Sequence, residues 1–309
     1  MSVVSSSSRR VILAAAESQR LQGLALAHGF RFGAGRFVAG ESLDDALAVL
    51  ARLDAQGFLT NTTLLGEGVR DAAATRAVVA VYLELIERLS QAQLRTNIAL
   101  KLTQLGLAID VDLAYRNLSE LLSSAGEFGN FIRIDMEEYD YVEATLSTYR
   151  RLREAGYSNV GVVLQAYLYR SEGDLESLLS LEPNLRIVKG AYLEPPQRAY
   201  PRKVDVDAAY RRLAERSLLE GGFTAIATHD ERLIEHTIAF AAANAVPVER
   251  FQFQMLYGVR PQLQLDLLRR GYGVLVATPY GPEWYRYLMR RLAERPANLA
   301  FFARNALRR

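Results

Sequence analysis

Eight short apolar or β-branched runs alternate along the chain with segments of helical spacing, and this alternation limits the possible folds more than any other feature. The runs lie at 58–65, 97–102, 131–135, 160–165, 186–189, 223–228, 251–254 and 273–278. Between runs, apolar residues recur at the three- and four-residue spacing of amphipathic helices in 72–89, 139–155, 205–220 and 231–243. Strands that alternate with helices in this way indicate βα units and a parallel sheet.

The length of the repeating region favours a closed barrel. A (βα)8 TIM-type barrel occupies about 250 residues, which matches the stretch from Gly57 to the C-terminus. A doubly wound open sheet is the rival, but the segment Gly33–Val38 lacks the third glycine of its first turn. We therefore predict an α/β fold in which residues 57–309 form the barrel catalytic domain. Residues 1–56 form an N-terminal arm with extra helices.

The composition fits a small-molecule substrate. The net charge is +2, too small to suggest a strongly electrostatic partner such as nucleic acid. The absence of cysteine excludes disulfides, thiolate nucleophiles and cysteine-ligated metals, and three scattered histidines argue against a metal centre. No window approaches the roughly 20 apolar residues of a spanning helix. The apolar stretch 11–16 is too short for a secretory core, so we expect a cytoplasmic protein.

Polar residues end most of the predicted strands. They are Lys101, Asp135, Gln165, Lys189–Gly190, Thr228–His229 and Gln254. Catalytic groups in barrels lie at the C-terminal ends of the strands. This series of residues therefore predicts a polar site across the mouth of the barrel.

Two of these strand ends suit a phosphate-bearing ligand. In Lys189–Gly190–Ala191 a cation stands beside a residue with no side chain, which lets the backbone approach a phosphate closely. Thr228 and His229 add donors at the next strand end. Together they suit the pyrophosphate of a dinucleotide, and the late-strand position matches the phosphate site of many barrels.

Gln165, Gln254 and Arg186 are candidates for contact with a planar ring system. A glutamine donates and accepts at once, as the edge of a flavin or a base requires. For each glutamine alone, the alternative is a buried amide that satisfies a neighbouring strand. Arg186 shares a strand face with Val188, and the sequence leaves open whether that face points into the barrel. If it does, the guanidinium needs an anionic or carbonyl partner, such as a reduced flavin.

A helical stripe near the C-terminus combines two guanidiniums, a phenol and a carboxylate. Tyr287, Arg291 and Glu294 are spaced by four and three residues, which places them on one helix face. Arg290 lies one turn from the first and the last of them. Arginine forks match a small amino- or imino-acid carboxylate, and the aromatic ring would cover an apolar ring substrate. We predict a substrate-gripping last helix; the alternative is a solvated basic helix in which Arg290 pairs with Glu294.

Several ordered motifs give the chain a family resemblance from about Gly57 to Asn298. The motifs are Arg186–Tyr192, Ala227–His229, Phe253–Gly258 and Tyr287–Glu294. In these residues the chain resembles the proline dehydrogenase family, which comprises single-function enzymes and the dehydrogenase module of the bifunctional proline utilisation flavoenzymes.

The resemblance implies an FAD held on the barrel, oxidation of L-proline to Δ1-pyrroline-5-carboxylate by hydride transfer to flavin N5, and a quinone as electron acceptor. Asp135 resembles the family's active-site aspartate and Arg186 its arginine beside the flavin; whether Asp135 orients Lys101 or acts as a base is left open. Substrate contacts are implied at Lys101, Tyr287, Arg290 and Arg291. Flavin contacts are implied at Met136, Gln165, Lys189, Gly190, Ala191, Thr228 and His229, with Tyr192 and Gln254 as further site members.

Two other functions fit parts of the pattern. A Schiff-base lyase would use Lys189 or Lys101 as a nucleophile at a strand end, and a catalytically silent barrel would only bind partners. Segment 297–309 has the mixed apolar and basic pattern of an amphipathic helix. We expect it to pack against the barrel, with peripheral membrane contact as the alternative. The sequence does not predict an oligomeric state.

Overall fold

The computed structural model describes residues 34–66, 68–285 and 287–289, and within them eight parallel strands close into a barrel. The strands are β1 (Leu59–Leu64), β2 (Thr96–Lys101), β3 (Ile132–Asp135), β4 (Val160–Gln165), β5 (Asn184–Val188), β6 (Phe223–Ala227), β7 (Phe251–Leu256) and β8 (Val274–Tyr280). Each strand pairs with the next in chain order, and β8 pairs with β1. The predicted (βα)8 TIM-type barrel is confirmed.

The helices lie between the strands. They are α1 (Leu43–Asp54), α2 (Ala72–Gln91), α3 (Val111–Glu127), α4 (Tyr139–Glu154), α5 (Ser171–Glu176), α6 (Lys203–Glu220), α7 (Glu231–Ala243) and α8 (Pro261–Arg269). α1 precedes the barrel and packs against β1 and β8. Its N-terminus is a capping box, in which Ser42 and Asp45 satisfy each other's backbone amides. None of the described helices is long and apolar enough to cross a membrane.

The core lies between the barrel and the inner faces of the helices. On α2, Val79, Tyr82, Ile86 and Leu89 follow helical spacing and are fully buried. All six residues of β4 are buried, as expected for a parallel strand covered on both faces. Because full burial of a large apolar side chain contributes about 1.5–3 kcal/mol, this layer supplies most of the driving force for folding.

A buried arginine occupies part of the barrel near the N-terminal end of β5. Arg133 of β3 is 2% exposed, and its Nη1 donates to the carbonyl oxygens of Asn184 (2.6 Å) and Val162 (3.2 Å). Its Nη2 donates to the side-chain oxygen of Asn184. Gly161 leaves the room it needs, because a Cβ there would overlap the guanidinium. Asn184 and Leu185 both belong to β5, which therefore begins two residues before the predicted run.

A second apolar cluster joins the start of the described chain to its end. It contains Phe37, Val38, Leu65, Trp284, Tyr285 and Leu288. Residues 36–41, named here the N-terminal strap, bond to the end of β8: Ala39 N donates to Pro279 O (2.8 Å), and Gly281 N donates to Gly40 O (3.0 Å). The strap thus lies against the segment that leads from β8 to the helical residues 284–285 and 287–289.

The predicted strands match the observed ones within about two residues at most ends. β7 and β8 each continue two residues beyond the predicted runs, to Leu256 and Tyr280. Gln254 is therefore inside β7. A polar residue had been interpreted as the end of the strand, whereas here it faces the barrel interior and the ladder continues past it.

Candidate active site

The ends of β2 and β3 place a lysine and an aspartate at neighbouring backbone positions. Lys101 and Asp135 are register partners in the parallel ladder and are the last residues of their strands. Both side chains are partly exposed, as expected at the mouth of the barrel. The sequence prediction that these two residues share one site is consistent with this register.

Arg186 points into the barrel and connects β3 with β7. Its Nη1 donates to Asp135 Oδ1 (2.7 Å) and its Nε donates to Gln254 Oε1 (2.6 Å). The arginine side chain is 11% exposed and the aspartate 24%. Burial lowers the pKa of Arg186 from its ordinary value, and the Asp135 carboxylate acts in the opposite direction. The question that the sequence left open, which way Arg186 faces, is settled by these two contacts.

Gln254 carries a buried donor that no group of the described residues accepts. Its side chain is 4% exposed, its Oε1 is occupied by Arg186, and its Nε2 has no hydrogen-bond partner among those residues. A buried donor left unsatisfied costs about 1–3 kcal/mol, so this amide beside a mouth-side ion pair can donate to a bound group. Gln165 differs, because its Nε2 already donates to Glu137 O (2.9 Å). For Gln165, the alternative of a buried amide that satisfies a neighbouring segment is therefore correct for its NH2 group.

The loop after β5 brings its backbone close to an aromatic ring. Gly190 has φ +107°, and a Cβ there would overlap the ring of Tyr167. Tyr167 N donates to Lys189 O (2.9 Å), which fixes the same loop. Only glycine combines this backbone conformation with this close approach.

Lys189 is held by two carboxylates. Its Nζ lies 2.6 Å from Asp207 Oδ1 and 3.0 Å from Asp230 Oδ2. Lys203 contacts both of the same carboxylates. The cluster carries two positive and two negative charges, so Lys189 offers a phosphate less net charge than the sequence prediction assumed.

The end of β6 leads directly into α7. Thr228 Oγ1 accepts from Asp230 N (3.1 Å), and Asp230 is the N-cap of α7. Leu256 N donates to His229 Nε2 (2.9 Å). Because Nε2 is the acceptor, the neutral imidazole carries its proton on Nδ1. This corner therefore combines a helix N-terminus with a histidine donor.

The sequence analysis did not predict two buried carboxylates in the loops after the strands. Glu137 is 3% exposed and accepts from Thr103 N (3.1 Å) and Thr103 Oγ1 (2.6 Å). Burial raises the pKa of Glu137 to about 7, although both threonine bonds oppose the rise. The available signal was the pair of acids that follows Asp135-Met136 in the sequence.

Glu194 is the second such residue, and it joins the loops after β3 and β5. Its side chain is 5% exposed, and its Oε1 accepts from Tyr139 N (2.7 Å), the first amide of α4. Glu138, the N-cap residue of α4, makes no side-chain capping bond. Glu194 thus caps a helix from another loop, and no local sequence pattern reveals such a contact.

The remaining predicted residues lie at the mouth or beyond the described residues. Met136 is buried after β3, and Ala191 and Tyr192 follow Gly190. Tyr287 is half-buried and packs against the second apolar cluster. Arg290, Arg291 and Glu294 lie outside the described residues, so their contacts with substrate stay predictions.

Comparison of the sequence with known proteins identifies similar proteins over nearly the whole chain. The proline dehydrogenase family profile matches residues 46–304. Proline dehydrogenase of Deinococcus radiodurans is 42% identical over 304 residues, which are 97% of this chain and 98% of that protein. Proline dehydrogenase 1 of Bacillus subtilis (strain 168) is 39% identical over 301 residues, 97% of this chain and 99% of that protein.

A solved structure has the same fold within a larger chain. Proline utilization A (PutA) from Bdellovibrio bacteriovorus, inactivated by N-propargylglycine, matches with a TM-score of 0.80 at 26% identity. The match covers 88% of this chain and 33% of that chain. This chain therefore spans about a third of the length of that larger protein.

Proposed function

The chain belongs to the proline dehydrogenase family, and from this premise we propose that it oxidises L-proline to Δ1-pyrroline-5-carboxylate, with bound FAD as hydride acceptor and a quinone as final electron acceptor. The family and the near-complete match to relatives support the reaction. The cofactor proposal rests on the residues at the mouth of the barrel, and the quinone acceptor is what the family resemblance implies.

The unpaired amide of Gln254 is the observation that carries the cofactor proposal. Its Nε2 is a buried donor with no partner among the residues that the structure describes, and the edge of a flavin presents carbonyl and ring-nitrogen acceptors. The close-packed backbone at Gly190 and the N-terminus of α7 suit a pyrophosphate. We assign flavin binding to the residues predicted from the sequence: Met136, Gln165, Arg186, Lys189, Gly190, Ala191, Thr228, His229 and Gln254. When bound, FAD would supply an N5 atom that accepts a hydride.

The protein's own contribution is placement of the substrate and of charge. Lys101 would bind the proline carboxylate together with the predicted Arg290 and Arg291, while Tyr287 packs on the ring. Arg186 would stabilise negative charge that develops next to it, because its guanidinium is held rigidly by Asp135 and Gln254.

Asp135 is suited to an orienting role. Its carboxylate accepts from Arg186 (2.7 Å), and its backbone position is the register partner of Lys101 in the ladder. We propose that it fixes both cations and does not act as the proton acceptor. The Schiff-base alternative loses support for Lys189, because an ammonium held between two carboxylates has no free lone pair for attack on a carbonyl.

The visible spectrum of the purified full chain tests the proposal. We expect a yellow protein that releases FAD on denaturation and is bleached by L-proline without oxygen. Colour should then return faster with a water-soluble quinone than with buffer alone. D-proline, which has the same groups in mirror arrangement, is the control and should bleach the protein far more slowly. A colourless protein, or equal bleaching by the two enantiomers, would refute the assignment.

A further inference from the structure

Glu137 links the strand end of Asp135 to the strand end of Lys101. It lies two residues after Asp135, and its carboxylate accepts two bonds from one residue, Thr103, which lies two residues after Lys101. The carbonyl of Glu137 is in turn held by Gln165 Nε2 (2.9 Å) from β4. One buried residue therefore connects the ends of β2, β3 and β4, through its side chain to β2 and through its backbone carbonyl to β4.

The two bonds cap a short helical turn. Lys101 is the N-cap residue of the 3-10 turn Leu102–Leu105, and its side chain makes no capping bond. An ammonium has no acceptor to offer, so the free amide of Thr103 needs a partner from elsewhere. The Glu137 carboxylate is that partner. Since the turn begins at Lys101, its capping fixes the backbone direction from which the lysine side chain departs.

The same turn also holds the loop after β1. Thr103 Oγ1 accepts from Gly68 N (3.4 Å), and Gln104 Nε2 donates to Leu64 O (3.1 Å). Lys101 N donates to Gln104 Oε1 (3.3 Å). Displacement of the turn would therefore shift Lys101 and the β1 loop together.

We propose that Glu137 is a positioning residue for substrate binding: its carboxylate anchors the turn after β2 and thereby holds Lys101 and the β1 loop in the arrangement that binds the substrate carboxylate. This inference rests on the proposed function, which assigns Lys101 to that carboxylate. Glu137 itself touches neither substrate nor cofactor in this proposal.

The ionisation of Glu137 makes the inference measurable. Burial raises its pKa to about 7; Lys101 lowers the pKa and the exposed Glu138 raises it. Thr103 and Gln165 are uncharged, Gly66 and Gly68 contribute no charge from the β1 loop, and Glu67 lies outside the described residues. A protonated carboxyl offers weaker acceptors than a carboxylate, so the turn is anchored less firmly below this pH.

Cyclopentanecarboxylate is a suitable probe. It has the five-membered ring and the carboxylate of proline but no amine, so its own charge is constant between about pH 6 and about pH 8. The measurement is its inhibition constant against proline oxidation by the holoenzyme across this range. In the wild type we expect inhibition to tighten about fivefold with rising pH, the equivalent of one hydrogen bond.

Two variants and one control separate positioning from general damage. Glu137→Gln should abolish the pH dependence, because the amide does not titrate. Thr103→Val should move the midpoint to higher pH. The Thr103 hydroxyl stabilises the carboxylate form of Glu137, so its loss raises the pKa of Glu137. Glu138→Gln removes an exposed charge that raises the pKa of Glu137, so it should keep the pH dependence with a midpoint moved to lower pH, opposite to Thr103→Val.

The outcomes distinguish this inference from the proposed function. Coincident profiles for the wild type and Glu137→Gln, or an unmoved midpoint in Thr103→Val, would overturn the inference while proline oxidation stands. A wild-type protein that does not oxidise proline would overturn both.

Discussion

At the scale of single residues, Gly190 is a position where the backbone tolerates little change. We expect Gly190→Ala to destabilise the protein by about 1–3 kcal/mol, because alanine disfavours φ +107° and its Cβ would overlap Tyr167. The displaced loop should also bind FAD less tightly. Thermal unfolding and the FAD content of the purified variant measure the two effects.

Gly173 in α5 provides the matched control. A Cβ there meets no atom within 4 Å, and alanine is favoured over glycine inside a helix by roughly 0.5–1 kcal/mol. Gly173→Ala should therefore leave the FAD content unchanged and not lower stability. If Gly190→Ala and Gly173→Ala had the same stability and FAD content, the close approach of Gly190 to Tyr167 would not matter for FAD binding.

Breaking the ion pair of Asp135 and Arg186 should lower the free energy of unfolding more than breaking an exposed surface pair. Asp135→Asn leaves a buried guanidinium without its anion, and breaking a buried pair costs about 3–5 kcal/mol. Glu120→Gln breaks the exposed pair with Arg76 and should cost at most about 1 kcal/mol. Urea unfolding of both variants gives the comparison, and equal costs would contradict the buried role of Arg186.

The sequence identified the residues at the strand ends but not their partners. Lys101, Asp135 and Gln254 were recognisable because a polar residue inside or after an apolar strand is conspicuous. The direction of Arg186 was not, since alternation along a strand defines two faces without saying which is inward. Glu137 and Glu194 were missed because their partners lie 34 and 55 positions away.

At the scale of elements, the N-terminal strap should control how the helical residues 284–285 and 287–289 pack on the barrel. Trp284 Nε1 donates to Glu41 Oε1 (2.6 Å), and a Cβ at Gly258 would overlap Arg36 O. We expect Gly258→Ala to displace the strap and expose the indole. Trp284 is the only tryptophan of the chain, so quenching of its fluorescence by acrylamide reports the change directly.

Gly271 is the matched control for the strap. It has φ +85°, close to the +72° of Gly258, but a Cβ there meets no atom within 4 Å. Gly271→Ala thus carries the conformational strain without the overlap. It should lose stability by about 1 kcal/mol without a change in quenching. Equal quenching in both variants would argue against the strap contact.

The order of elements was predictable because each strand and most helices carry their own apolar period. The ends of strands β5, β7 and β8 were less predictable from the sequence. Asn184 pairs in the ladder because Arg133 reaches it across the barrel, a contact between residues 51 positions apart. Such tertiary contacts extend strands through residues whose local preference is for a loop.

At the scale of the whole molecule, Glu137 should make stability depend on pH. Its pKa is raised from 4.5 to about 7 in the folded protein. Its contribution to the free energy of unfolding is therefore fully present below pH 4.5 and is lost as the pH rises through about 7. The shift corresponds to roughly 3 kcal/mol at most. Urea unfolding at about pH 5 and about pH 8 should show Glu137→Gln gaining stability relative to the wild type at the higher pH. A difference that does not vary with pH would contradict the buried ionisation.

The closure of the barrel has a consequence for synthesis. Thr62 Oγ1 donates to Thr278 O (3.0 Å) across 216 positions, so the first strand meets its second neighbour only when the last strand has left the ribosome. Until then β1 and β7 each present an open edge of unpaired amides to solvent or to a chaperone. Stop codons or stalls shortly before β8 should therefore yield aggregation-prone products, whereas release of the final strand seals both edges at once.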